Sequence, residues 1–141
     1  MTCRPRVTAD ARTGEWFHTG DLGYFDEDGF LFIVGRIKEL IIRGGYNVYP
    51  AELEDVIHGH PAIMEAAVVG IPDDRLGEEV KAVVTLRPDA SLTAPELIAY
   101  CKQRMAAYKY PRVIEFRAEL PKNAMGKILK DQLVPGSSPR T

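Results

Sequence analysis

Short apolar runs separated by glycine, proline and aspartate recur along this chain, and their spacing predicts the elements in turn. Tyr24-Phe25 and Phe30-Leu31-Phe32-Ile33-Val34 flank Asp28-Gly29, an Asp-Gly pair between apolar runs that predicts a β-hairpin. Leu40, Ile41 and Ile42 predict a short buried strand, and Gly44-Gly45 a tight turn at which backbone can approach a ligand. Pro50 suits a helix's first turn. The helix it starts runs to His58, with Leu53, Val56 and Ile57 on one face, Gly59 as its stop and Glu52, Glu54 and Asp55 early, where a helix dipole favours acids.

Two strands follow, 66–71 and 79–86, separated by a loop rich in Pro, Asp and Gly. Thr93 is the expected N-cap of a second helix, with Glu96 at capping-box spacing and Leu97, Ile98, Cys101 and Met105 at helical intervals. Residues 113–116 predict a last strand. This order predicts an α+β fold, a small domain whose helices cover one face of a short β-sheet, preceded by a β-hairpin element. Beyond Leu133 the Pro-Gly-Ser-Ser-Pro run predicts a disordered tail.

Composition narrows the function only by exclusion. The 141 residues are 45% hydrophobic and 27% charged, ordinary for a globular protein able to bury one modest core or two small ones. Eighteen basic against twenty acidic residues, a formal charge of -2, argues against a general nucleic-acid binder that must neutralise many phosphates. No apolar run approaches the roughly 20 residues of a transmembrane helix, and Met1-Thr2-Cys3-Arg4-Pro5 lacks a signal peptide's apolar core, so a cytoplasmic location is expected. Cys3 and Cys101 are too few and too far apart for a zinc site, and Cys101, four residues after Leu97, is expected to be a buried thiol. His58 and His60 flank Gly59 and fit a helix end better than a metal pair, so no metal-ligating residue is assigned. No internal repeat and no glycine-rich phosphate loop of the P-loop or dinucleotide type occurs.

Several residues could carry chemistry. The carboxylate of Asp21, after Gly20, can accept both hydroxyls of a ribose or serve as a turn or cap residue. Arg36, after Gly35 at a strand edge, can direct a guanidinium fork at phosphate or sugar oxygens, or stay a surface arginine. Gly44 and Gly45 fit any hairpin that needs positive φ, and fit equally a turn that leaves room for a ligand. Lys122 and Lys127 bracket a loop containing Gly126, and a mobile ammonium at a loop tip suits charge that appears only in a transition state.

Thr19-Gly20-Asp21, the stretch from Gly35 to Glu54, and Pro121-Lys122-Asn123-Ala124-Met125-Gly126-Lys127 together resemble, in order and separation, the last three core motifs of the adenylate-forming acyl-CoA synthetase superfamily. The resemblance implies that residues 1–34 end a large amino-terminal adenylation domain, 35–38 form a hinge, 39–133 form the mobile C-terminal domain and 134–141 are a tail. It implies an AMP-forming acid–thiol (acyl-CoA) ligase that converts a carboxylate and ATP to an acyl-adenylate, with Mg2+ neutralising the phosphates, then passes the acyl group to CoA. A fatty or medium-chain acid is the expected substrate. By the same resemblance Asp21 holds the ATP ribose, Arg36 the nucleotide, and Lys38 is the hinge, at an element boundary that can absorb backbone rotation. Gly44 and Gly45 line the path of the CoA pantetheine arm, Tyr46, Tyr49 and Glu52 brace that hairpin, and Lys122 supports the loop of Lys127. Lys127 bridges the substrate carboxylate and the α-phosphate during adenylation, and is a target for a lysine acetyltransferase that removes its charge. The acyl pocket, phosphate loop and adenine site lie outside this sequence, so the chain is expected to be an incomplete catalyst whose partner is the large domain. A carrier-loading adenylation domain and a freestanding binding or regulatory module of the same fold are the alternatives. Lys38, where peptide-synthetase domains carry aspartate, and the stretch from Ile42 to Pro50 favour the acyl-CoA ligases.

Overall fold

The computed structural model describes residues 12–135, and the chain divides into two compact units, Met1–Lys38 and Glu39–Thr141. Cys3 and, apart from Val134 and Pro135, the expected tail lie outside the described residues. In the first unit β1 (Arg12–Thr13) pairs with β2 (Trp16–Phe17), and β3 (Asp21–Phe25) pairs antiparallel with β4 (Leu31–Arg36). The β3–β4 turn closes as the Asp-Gly signal predicts. Asp26 Oδ1 accepts the N–H groups of Asp28 at 3.0 Å and Phe30 at 2.9 Å, and Gly29 takes φ 85°, where a side chain would be strained.

A 3-10 turn, Ile37–Glu39, carries the chain across the boundary between the units. The second unit then runs β5 (Ile41–Arg43), β6 (Tyr46–Val48), α1 (Pro50–His58), β7 (Ile63–Asp73), β8 (Gly77–Leu86), α2 (Ala94–Lys102), β9 (Val113–Phe116) and a 3-10 turn, Lys130–Leu133. β8 is the centre. β7 pairs with it antiparallel along its whole length, β9 lies parallel beside residues 81–84, and β5 reaches it through Arg43 opposite Gly77. The capping box forms as expected, with Glu96 N–H donating to Thr93 Oγ1 and Thr93 N–H to the Glu96 carboxylate.

Both faces of the β7–β8 ribbon are buried. Ala66, Val68, Val80, Ala82 and Val84 pack against Leu53 and Ile57 of α1 and Leu97 and Cys101 of α2. The alternate residues Ala67, Val69 and Val83 pack against Leu120 and Leu133, with Ile128 beside them, so the segment after β9 covers the second face. A fully buried leucine such as Leu97 contributes on the order of 1.5–3 kcal/mol through burial. On the second face the nearly buried Lys81 pairs with Glu115 and donates to the Leu133 carbonyl at 3.4 Å, tying β8 to β9 and the C-terminal turn. Burial on the first face pushes the Cys101 thiol up to about 11.

Three local expectations are corrected. The strand at Leu40, Ile41 and Ile42 begins at Ile41 and only Ile41 is buried, because alternation along a strand turns Ile42 outward, where it is 50% exposed. The loop between the two long strands shrinks to residues 74–76. Asp73 Oδ1 accepts from Arg75 N–H at 2.9 Å and Leu76 N–H at 2.8 Å, closing the turn, and Pro72 is tolerated because β7 is an edge strand. The α-helical part of the second helix ends at Lys102, leaving Met105 beyond it but still packed on the core.

Hydrogen bonds from Lys81 and Arg117 hold the Glu115 carboxyl below its ordinary value of 4.5. A depressed folded-state pKa means that this pairing stabilises the fold above about pH 4.5 and stops doing so as pH falls through the lower folded value. Glu115→Gln should therefore destabilise the chain most near neutral pH, with the difference from wild type in urea melts shrinking toward pH 3. A difference independent of pH would show that the Glu115 charge does not tie the C-terminal segment down.

Candidate functional site

The first unit brings two of the proposed binding residues side by side. Asp21 opens β3, Arg36 closes β4, and the register places them directly opposite each other, with Arg36 Nε 3.7 Å from Asp21 Oδ1. Gly20, at φ 80°, accepts the Ile37 N–H at 2.8 Å, and Thr19 Oγ1 accepts the Asp21 N–H at 3.2 Å, which fixes the approach to β3. The side chains of Arg36 and Asp21 are 60% and 35% exposed, so their attraction is weak and screened by water. A ligand's hydroxyls and anionic oxygens can replace that contact at small cost.

In the second unit Gly44 and Gly45 form the two-residue turn between β5 and β6, with φ of 56° and 85°. Two positive φ values suit the primed turns whose twist matches a hairpin. The glycines are not equivalent, since a Cβ on Gly44 would meet Leu76 Cδ2 at 3.2 Å while one on Gly45 would meet nothing. Tyr46 stacks on Tyr108 at 4.6 Å, and the Glu52 carboxylate accepts from Lys109 Nζ at 2.8 and 3.1 Å. Both contacts tie the hairpin and α1 to the segment before β9. Tyr49 stands at the α1 N-cap without a capping side-chain hydrogen bond.

Lys127 ends a small closed loop. Lys122 is bridged to Ile128, Asn123 N–H donates to the Lys127 carbonyl at 2.9 Å, and Gly126 N–H donates to the Asn123 carbonyl at 3.0 Å. Asn123 Oδ1 also accepts the N–H groups of Met125 at 3.0 Å and Lys127 at 2.9 Å. The loop backbone beneath the ammonium is thus fixed by Asn123, while the Lys127 side chain stands exposed with no ion pair among the described residues. Lys122 pairs with Glu65 at the start of β7.

The two candidate features of the second unit lie at opposite ends of one ribbon. The Gly44 N–H donates to Leu76 O, 2.9 Å away in the β7–β8 turn, whereas the Lys127 loop is anchored at Glu65. At about 3.3 Å per strand residue, the stretch from Glu65 to Asp73 sets these two anchor points roughly 26 Å apart.

Sequence reasoning named Tyr46, Glu52 and Lys122 as supports, and each makes a bracing contact, but it missed the contacts that join more distant segments. Lys130 Nζ lies 2.6 Å from Glu54 Oε1 and 3.3 Å from Glu39 Oε2, joining the first residue of the second unit to α1 and to the segment carrying Lys127. Glu54 Oε1 also accepts the Val68 N–H of edge strand β7 at 3.0 Å. Lys38, next to Glu39, is exposed. His58 Nδ1 contacts the Glu54 carbonyl at 2.8 Å, a helix-end contact, and His60 sits edge-on to Tyr100. Among the described residues, no cluster of His, Cys, Asp and Glu could hold a metal ion, and no helix is long and apolar enough to cross a membrane.

Comparison with known proteins gives this geometry a context. Residues 52–127 match the family described as AMP-binding enzyme C-terminal domain. A long-chain-fatty-acid–CoA ligase of Bacillus subtilis (strain 168) is 48% identical over 131 residues, covering 93% of this chain and 23% of that protein. A 2-succinylbenzoate–CoA ligase of Geobacillus kaustophilus is 48% identical over 130 residues, covering 92% of this chain and 26% of that protein. The fold matches the o-succinylbenzoate CoA synthetase of Bacillus subtilis in complex with its acyl-adenylate intermediate, with a TM-score of 0.85 and 42% identity over 92% of this chain and 26% of that one. The same synthetase in complex with ATP and a magnesium ion matches with a TM-score of 0.83. The chain spans about a quarter of the length of the curated relatives it matches.

Removing the Asn123 side chain would leave two loop N–H groups without an acceptor, at a cost of about 1 kcal/mol or less for exposed groups. Asn123→Ala should accordingly speed hydrogen exchange across residues 121–129 while moving the melting midpoint little. Unchanged protection of that peptide would mean that Asn123 does not hold the loop.

Proposed function

Because this chain belongs to the AMP-binding enzyme C-terminal domain family, we propose that it forms the C-terminal quarter of an ATP-dependent, AMP-forming acyl-CoA ligase. The observation that carries the reading is the placement of the Gly44-Gly45 turn and the Lys127 loop at opposite ends of the β7–β8 ribbon. A reaction in two steps at one site needs different groups at each step, and a unit with two working ends supplies them by turning.

In this reading residues 1–34 complete a large upstream adenylation domain, residues 35–38 are the hinge with Lys38 at its centre, and residues 39–133 turn as one body. The Glu39–Lys130–Glu54 contacts support such rigid turning, because they lock the residue after the hinge to the body of the unit. In the first step the carboxylate oxygen of a fatty or medium-chain acid attacks the α-phosphorus of ATP and pyrophosphate leaves. Asp21 receives the ribose hydroxyls and Arg36 an anionic oxygen of the nucleotide. Lys127 lies between the attacking carboxylate and the α-phosphate, where negative charges crowd in the transition state, and its exposed ammonium has no competing ion pair among the described residues. Magnesium enters with ATP and neutralises phosphate charge. In the second step the CoA thiol attacks the acyl carbonyl and AMP leaves, with the Gly44-Gly45 turn beside the pantetheine arm. The open side of Gly45 supports that role, since a Cβ there would meet no atom within 4 Å. The enzyme is cytoplasmic, and an accessible Lys127 is open to acetylation, which would remove the charge needed for the first step.

In a full-length ligase carrying this chain, Lys127→Ala should depress acyl-adenylate formation, measured by pyrophosphate release, by roughly 10²–10³, the usual loss for one preorganised contact to developing charge. Thioester formation from supplied acyl-adenylate should change far less. Equal loss in both assays would make Lys127 a support of the fold, and unchanged pyrophosphate release would remove it from the chemistry.

A further inference from the structure

Three successive residues, the last two of β5 and the first of the Gly44-Gly45 turn, are each gripped by the ribbon tip. Ile42 N–H donates to Glu78 Oε2 at 2.8 Å. The Arg43 guanidinium donates through Nε to Glu79 Oε1 at 2.7 Å and through Nη2 to Glu79 Oε2 at 3.3 Å. Gly44 N–H donates to the Leu76 carbonyl at 2.9 Å. Glu78 and Glu79 are neighbours on β8, so their side chains point to opposite faces, and β5 is held from both. Gly70 keeps the space for one of them, because a Cβ there would lie 2.7 Å from Glu78 Oε1.

The two glutamate side chains do what backbone pairing does not. The ladder between β5 and β8 consists of Arg43 opposite Gly77, too little to set the angle of the β5–β6 hairpin. The Arg43 and Glu79 side chains are each 13% exposed, and a buried ion pair is generally replaceable by apolar residues without loss of stability. What apolar residues cannot replace is the direction of a two-pronged contact between a planar guanidinium and a carboxylate. Burial alone would raise the Glu79 pKa, but the Arg43 hydrogen bond, the Val80 N–H and the charges of Arg43 and Arg112 outweigh it and keep the carboxylate ionised. Tyr46, on the far side of the turn, is held separately by Tyr108.

We propose that Arg43 and Glu79 are positioning residues for thioester formation: their buried two-pronged pair sets the angle at which the Gly44-Gly45 turn meets the thiol-bearing arm of CoA. This rests on the reading above that the turn serves the second half-reaction. The loop of Lys127 is anchored through Lys122 toward the other end of the ribbon, so adenylation does not depend on the pair.

The test uses a full-length ligase carrying this chain, with Arg43→Met, Glu79→Gln and the double variant assayed for each half-reaction. Thioester formation from supplied acyl-adenylate should fall about 10- to 10²-fold, the effect of a small misplacement of a working group. Pyrophosphate release by the same preparations should stay within about twofold of wild type, which also shows that they are folded. The double variant should lose no more than the worse single one, because the two side chains act as a unit. Arg43→Lys should remain impaired, since an ammonium cannot form the fork. Gly45→Val separates this inference from the reading beneath it. If Gly45→Val leaves thioester formation intact, the turn does not serve that step; if it blocks the step while Arg43→Met does not, the positioning role alone is overturned. Equal loss of both half-reactions in Arg43→Met would assign the pair to stability and overturn it too.

Discussion

The pairing of β7 with β8 forces most of the other features, because its residues are apolar toward both faces and neither face can be left in water. Val80, Ala82 and Val84 require one cover and Ala67, Val69 and Val83 another. Helices α1 and α2 supply the first. The second is covered by the segment from Leu120 to Val134, so the chain after β9 must return across the sheet. The Lys127 loop therefore lies where core burial puts it, near the start of β7, and the β5–β6 turn lies at the opposite end because β5 pairs with the first residues of β8. The separation of the two candidate working features follows from hydrophobic burial, not from an added device.

Exposure then decides what each ion pair can do. The Asp21–Arg36 pair is open to solvent and its partners can be exchanged for ligand groups. The Arg43–Glu79 pair is nearly buried, and removing one partner would strand the other charge, so it serves as a fixed joint. Lys130 is intermediate. Its side chain is 20% exposed and spans Glu39 and Glu54, which couples the residue after the proposed hinge to α1 and, through Val68, to the edge of β7.

Local signals in the sequence were sufficient where one residue type controls the backbone. Pro50 and Gly59 bound α1 as the pattern predicts, and Thr93 with Glu96 marks the start of α2. They misled where tertiary pairing overrode them. Pro72, Asp73 and Gly77 read as loop, yet they belong to the ends of two long strands, because an edge strand tolerates proline and Asp73 closes the turn itself. The second cover of the sheet was not legible at all. Leu120, Ile128 and Leu133 follow neither a helical nor a strand period, and only the unfilled face of the ribbon calls for them. In the candidate site, motif reasoning singled out Asp21, Arg36, Gly44, Gly45 and Lys127, with Tyr46, Glu52 and Lys122 as supports that the contacts bear out, but it passed over the more distant residues that orient them. Asn123, Glu79 and Lys130 act through contacts two, 36 and 91 residues away in sequence, of which only the first leaves a local trace.

The proposed alternation is tested most directly by distance. In a full-length ligase, one spin label would be fixed on the large domain beside the ATP phosphates, and a second placed in turn at Met125, which is 93% exposed, and at Arg75 in the β7–β8 turn. Opposite movements are expected: with ATP, magnesium and a carboxylate the Met125 label lies close and the Arg75 label far, and with acyl-adenylate and CoA the order reverses. Two distances that shift in the same sense, or that do not change between the two conditions, would contradict the alternation.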